Sequence, residues 1–94
     1  MRSNEFVVKG ASLLEGGRYD VPVKVFGALK VNGNFVVKSL ECYASVKVNG
    51  NLIVYDFLVV EGGLESMDVR VGGYVLITGG ANILGNMISS GKIE

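Results

Sequence analysis

The 94-residue chain contains no histidine, no tryptophan and no glutamine, and Thr78 is its only threonine. Without histidine no Ser-His-Asp or Cys-His arrangement can form, and the commonest zinc ligand is missing, so ordinary hydrolase chemistry is largely excluded. The lone cysteine, Cys42, can neither close an intrachain disulfide nor build a thiolate cage for a metal. A single threonine removes the threonine arrays that an ice-binding solenoid would display. Net charge is also absent, because nine basic residues balance nine acidic ones. A neutral chain lacks the electrostatic footprint by which proteins grip phosphate backbones or anionic lipid, and nucleic acid is not an expected partner. No apolar run reaches the roughly 18 to 20 residues of a membrane span, and residues 1–5 lack the apolar segment of a signal peptide. A cytoplasmic location is the expectation.

What the chain does have is apolar content of 49%, enough for one core, and a length that fits a single domain over residues 1–94, with a short polar tail at 1–5. It also repeats. Lys30-Val31-Asn32-Gly33-Asn34-Phe35 recurs as Lys47-Val48-Asn49-Gly50-Asn51-Leu52, 17 residues on. Extending that offset places a leading small residue at 10, 27, 44, 62 and 79, and a later glycine position at 16, 33, 50, 67 and 85, where Met67 stands in for glycine. A rival register for the third turn aligns residues 60–64 with residues 48–52 through a shortened step. Within each copy apolar residues alternate, as in Phe35/Val37, Leu40/Cys42, Val46/Val48 and Phe57/Val59, which is the period of strands. No window keeps a helical stripe, and valine dominates. The expected fold is all-β: a parallel β-helix, or β-solenoid, of about five triangular coils with a step of 17 to 18 residues.

In such a fold, residues one period apart lie over each other, so the alignment maps the core. Phe35, Leu52, Val69 and Met87 are expected to form one ladder, and Val37, Val54 and Val71 a second. The 17-residue offset gives Leu40, Phe57 and Tyr74 as a third and Val25, Cys42, Val59 and Leu76 as a fourth. Cys42 thereby reads as a buried core thiol rather than a reactive one. Asn34, Asn51, Asp68 and Asn86 share a column. An oxygen-ligand calcium site is one reading of it, and a turn column with amides bonded along the axis is the reading preferred here. Phe26, Tyr43, Val60 and Ile77 are expected to point outward, as an apolar stripe on one lateral face. The carboxylates do not recur in one column, and nothing in the repeat makes a cleft for an acid pair. No catalytic residue, metal ligand or cofactor is assigned, and the protein is not expected to be an enzyme. A hexapeptide-type acyltransferase is opposed by the 17-residue step and the missing histidine.

The terminal coils carry the functional expectation. Solenoids normally cover their ends, whereas this chain shows neither a polar nor a helical cap. Phe6, Val8 and Leu14 at one end and Met87, Ile88 and Ile93 at the other are the candidate assembly residues. The Gly-small-apolar-Lys-Val-Asn-Gly-Asn-apolar unit, preceded by Gly17-Arg18-Tyr19-Asp20-Val21, resembles the bactofilin family of polymer-forming bacterial cytoskeletal proteins, over roughly residues 6–94. That resemblance implies a right-handed β-helix assembling end to end into non-polar, nucleotide-independent filaments. It also implies that the partner is the protein itself, that the filament scaffolds other proteins, and that it often lies at the membrane. The competing expectation is a β-helical oligomerisation or binding module that holds a protein or carbohydrate on its lateral face.

Overall fold

The computed structural model describes residues 6–91. Thirteen strands and no helix occur among them, arranged as five coils. The first coil holds β1 (Phe6–Val8) and β2 (Ala11–Arg18), and the second β3 (Pro22–Val25) and β4 (Ala28–Val37). Coil three is β5 (Ser39–Cys42), β6 (Ser45–Val48) and β7 (Leu52–Val54). Coil four is β8 (Leu58–Val60), β9 (Gly63–Ser66) and β10 (Val69–Val71), and coil five is β11 (Val75–Ile77), β12 (Gly80–Ile83) and β13 (Met87–Ser89). Every pairing is parallel and joins one coil to the next. Three faces result. The first stacks β1, β3, β5, β8 and β11, and the second and third are joined where β2 and β4 run unbroken round a corner. The expected β-solenoid of five coils is the fold.

Parallel stacking leaves each strand one face for the interior, and alternation fills it. In β6 the pattern runs exposed, buried, exposed, buried, with Val46 and Val48 inward. The core is a column of valines, leucines and one phenylalanine, and Phe35, Leu40, Leu52 and Leu58 are its largest fully buried side chains. The first two expected ladders stand: Phe35 lies over Leu52, Val69 and Met87, and Val37 over Val54 and Val71. The leading small-residue column also stands, because Ala28 pairs with Ser45, Ser45 with Gly63, and Gly63 with Gly80, which excludes the rival register of the third turn.

The other two ladders need correction. Leu40 lies over Leu58, not Phe57, and Leu58 over Val75, not Tyr74; Cys42 lies over Val60 and Ile77, not Val59 and Leu76. The cause is one extra residue in a corner. Two residues separate Val37 from Leu40, but residues 55–57 separate Val54 from Leu58, so the step on the first face lengthens from 17 to 18. A slip of one residue in a strand turns every side chain to the opposite face. The extra residue is given back at the next corner but one, where only residues 67 and 68 lie between Ser66 and Val69. There the Ser66 hydroxyl, buried at 1% exposure, donates to the carbonyls of Gly50 and Asp68 at 3.2 and 3.3 Å. The corrected register is testable. Leu58→Ala should cost about 2 to 5 kcal/mol by urea denaturation, whereas Phe57→Ala, which loses mainly a stacking partner, should cost about 1 kcal/mol. Equal costs would restore Phe57 to the core.

Corners set the glycine positions. Gly33 has φ of +116°, a region that disfavours side chains, and a Cβ on Gly50 would meet the Gly33 carbonyl at 2.6 Å. The asparagine column beside them is structural. Asn34 Oδ1 accepts the Asn51 backbone N–H at 3.0 Å, and Asp68 Oδ1 accepts that of Asn86 at 2.8 Å. The amide-to-amide bond along the axis lies one column away, from Asn49 Nδ2 to Asn32 Oδ1 at 3.0 Å. Charge pairs follow the same vertical logic: Lys24 reaches Glu41 at 4.0 Å and Lys47 reaches Glu65 at 3.5 Å.

Candidate functional site

The two ends of the stack differ from its middle in a way that the pairing alone dictates. Among the described residues, β1 and β2 pair only with the second coil, and β11, β12 and β13 only with the fourth. Each of these strands therefore presents a row of main-chain donors and acceptors on one side, the feature that makes an edge strand a template for another chain.

Burial falls off at the last coil except at Val75, which is 1% exposed. Val60, Ser66 and Val69 are fully buried in coil four, whereas Ile77, Ile83 and Met87, which lie directly over them, are only half-buried. Those three apolar side chains, with Ala81 between them, form the open cross-section at that end. Met87 was expected there, but Ile77 was expected on the lateral face, and Ile83 was missed. Ile88 belongs to the same coil, yet it alternates with Met87 and Ser89 and is 54% exposed, so its side chain points sideways rather than along the axis. Ile93 lies outside the described residues.

The first coil is more closed. Phe6 and Leu14 are half-buried as part of that end, but Val8 is buried at 2% and offers no open surface. Tyr19 supplies the missing volume on the third face, where Gly17 sits opposite Phe35 and has no side chain to continue the ladder. The Tyr19 ring packs edge-on to Phe35 at 5.4 Å and lies parallel to Phe6 at 6.5 Å, and its hydroxyl donates to the Glu15 carbonyl at 2.8 Å. Tyr19 is thus a member of this end that sequence reasoning missed. The signal was present as a glycine in an apolar column with an aromatic residue two positions on. Arg18 pairs with the outward Val36 after a register shift between Glu15 and Gly17, so alternation turns Tyr19 inward; the chain then turns through Asp20 at φ of +50°, with Arg18 Nε bonded to the Asp20 carboxylate at 3.0 Å.

The lateral stripe does not form as four residues. Phe26 and Tyr43 do point outward, 51% and 36% exposed, and stack at 5.1 Å with an interplanar angle of 9°. Val60 is fully buried and Ile77 faces the interior, displaced by the same extra residue. The positions that continue the corner are Glu61 and Thr78, whose N–H groups bond to Cys42 and Val60 just as those of Phe26 and Tyr43 bond to Val8 and Val25. A second aromatic stack, Phe57 with Tyr74 at 5.4 Å, sits at the opposite corner of the first face.

Cys42 is fully buried, and its Sγ–H donates to the Gly63 carbonyl at 3.3 Å. Burial, which disfavours the thiolate, pushes its pKa up from the ordinary value of 9.0. The neutral thiol is thus favoured by folding: that contribution is complete below about pH 9 and is lost as pH rises toward the folded value. A thiol reagent at pH 8 should leave native protein unmodified and label one cysteine per chain in urea; fast labelling without denaturant would contradict the packing of this column.

Among the described residues no three of Cys, Asp and Glu converge on a point that could hold a metal ion. No helix there is long and apolar enough to cross a membrane. No family model, curated protein or solved structure matches the chain.

Proposed function

We propose that the protein is structural, and that its activity is to stack end to end into nucleotide-independent filaments that serve as a cytoplasmic, cytoskeletal-type scaffold. The observation that carries this reading is the run-out of the core at the last coil: Ile77, Ile83 and Met87 are part-exposed on the axis while the residues beneath them are fully buried. A second copy placed on that coil would bury apolar area at about 25 cal/mol per Å² and pair the free strand edges. Repetition of such a contact at the first and last described coils gives a filament rather than a closed particle. The likeness of the repeat to bactofilins supports the same reading, and proteins held along such a filament would be its partners.

The second reading is a binding module that uses the Phe26–Tyr43 stack as a lateral platform. It is favoured by the exposure of two parallel rings on one corner. Tyr43→Glu separates the two. Under the filament reading, pelleted protein after high-speed centrifugation stays within about twofold of the parent, because a rim charge contributes little to a contact elsewhere. Complete loss of pelleting in Tyr43→Glu with its fold intact would move the assembly surface to the lateral corner.

A further inference from the structure

The charges that cancel over the whole chain do not cancel along the axis. Residues 1–38, which include coils one and two, hold six basic and three acidic side chains. Residues 39–54 hold one of each, and residues 55–94 hold two basic and five acidic. Among the described residues the excess lies one coil in from each end: Lys24, Lys30 and Lys38 give coil two a net charge of plus three, residues 55–74 give coil four minus three, and the first and last coils carry no net charge. Lys9, Lys30 and Lys38 lie on the basic half, and Glu61, Glu65 and Asp68 on the acidic half.

The side chains at the two ends match in the same sense. If the last coil of one copy is followed by the first coil of another, with the register of the stack continued, β11 lies on β1. Val75 then meets Phe6, Leu76 meets Val7 and Ile77 meets Val8, apolar on apolar both inside and outside the face. On the second face Gly80 meets Ala11, which continues the column of small residues, and Ile83 meets Leu14. No charged side chain enters the interior of that junction.

We infer that the copies join head to tail, so that the acidic fourth coil of one copy faces the basic second coil of the next across two coils of no net charge, and the filament is polar. This rests on the end-to-end reading proposed above, and it departs from the non-polar order implied by the resemblance to bactofilins. The physical reason is the sign of the charged coil next to each terminal coil. Head-to-head and tail-to-tail junctions would each bring like charge within about three coil spacings, roughly 14 Å, whereas head-to-tail junctions bring opposite charge to the same distance. At 0.01 M salt that separation lies inside a screening length of about 30 Å, and at 0.15 M it lies beyond one of about 8 Å.

Two single-cysteine additions test it, Val7→Cys and Leu76→Cys, each on an outward position of the first face; the buried Cys42 serves as the internal blank. Neighbouring parallel strands place paired Cα atoms about 4.8 Å apart, within disulfide reach. Under a mild oxidant, the mixture of the two variants, one of them carrying a mass tag, should give the mixed disulfide dimer, and neither variant alone should cross-link. The critical concentration of the unmodified protein should rise at least severalfold from 0.01 to 0.15 M NaCl. Cross-linking of either variant by itself, or a critical concentration that falls with salt, would overturn the head-to-tail order and leave the end-to-end filament standing. Filaments without any of these cross-links would overturn it in favour of side-by-side packing. No polymer under any salt would sink both this inference and the function it rests on.

Discussion

Met87→Lys is expected to abolish filament growth while leaving the solenoid folded. Met87 closes the ladder of Phe35, Leu52 and Val69 and is the last rung before the open end. In a free subunit its half-exposed position lets a lysine stem lie along the coil and carry the ammonium into water. In a stacked junction that ammonium would be enclosed among apolar side chains without a partner, at a cost of several kcal/mol. Since about 1.4 kcal/mol is a factor of ten in an equilibrium constant, a cost of about 3 kcal/mol raises the critical concentration by roughly a hundredfold. The check is sedimentation of parent and variant over a concentration series, with far-ultraviolet circular dichroism to confirm that the variant keeps its β signal. A variant that polymerises as well as the parent would place the growing end elsewhere. Phe6→Lys at the other end should behave in the same way, because one blocked end suffices to stop a junction.

Phe35→Ala is expected to give the largest loss of stability of any single truncation in the chain. Phe35 is fully exposed to no solvent, lies over Leu52 and is touched edge-on by Tyr19, so it joins the first coil to the third. Truncating a buried phenylalanine typically costs about 3 to 5 kcal/mol through lost burial and the cavity left behind. A domain of this size has a total stability of about 5 to 15 kcal/mol, so the variant would lose a large share of it. The loss should also spread, since in a solenoid each coil is held mainly by its two neighbours. Urea titration followed by circular dichroism measures it. A shift equivalent to less than about 1 kcal/mol would mean that the column is not the continuous core described above.

Much of this architecture was legible in the sequence because β-solenoids write their geometry as a period. The copies at Lys30 and Lys47 fixed the coil length, and alternation within each copy separated inside from outside. The Asn34, Asn51, Asp68 and Asn86 column followed from the same offset. What was not legible was where an 18-residue step falls. Extending 17 past residues 55–57 put Phe57, Val59 and Tyr74 in the core and Val60 and Ile77 outside, the reverse of their places. Phe57 and Val59 alternate as well as Leu58 and Val60 do, so periodicity could not choose between them. The hydrogen bonds of the lengthened corner make that choice. At the ends, sequence reasoning located the terminal coils and Met87 but not Tyr19, because a register shift between Glu15 and Gly17 sets Arg18 rather than Tyr19 against the outward Val36 and so turns Tyr19 inward. It also could not tell Ile88 from Met87 by composition. Only alternation from the corner before β13 assigns one to the axis and the other to the side.

The most direct test of end-to-end assembly is negative-stain electron microscopy of the purified protein, without nucleotide, at low and at physiological salt. Long thin filaments of single-solenoid or few-solenoid width are the predicted result. Discrete particles of uniform size at every salt and concentration would contradict it and assign the open coils another role.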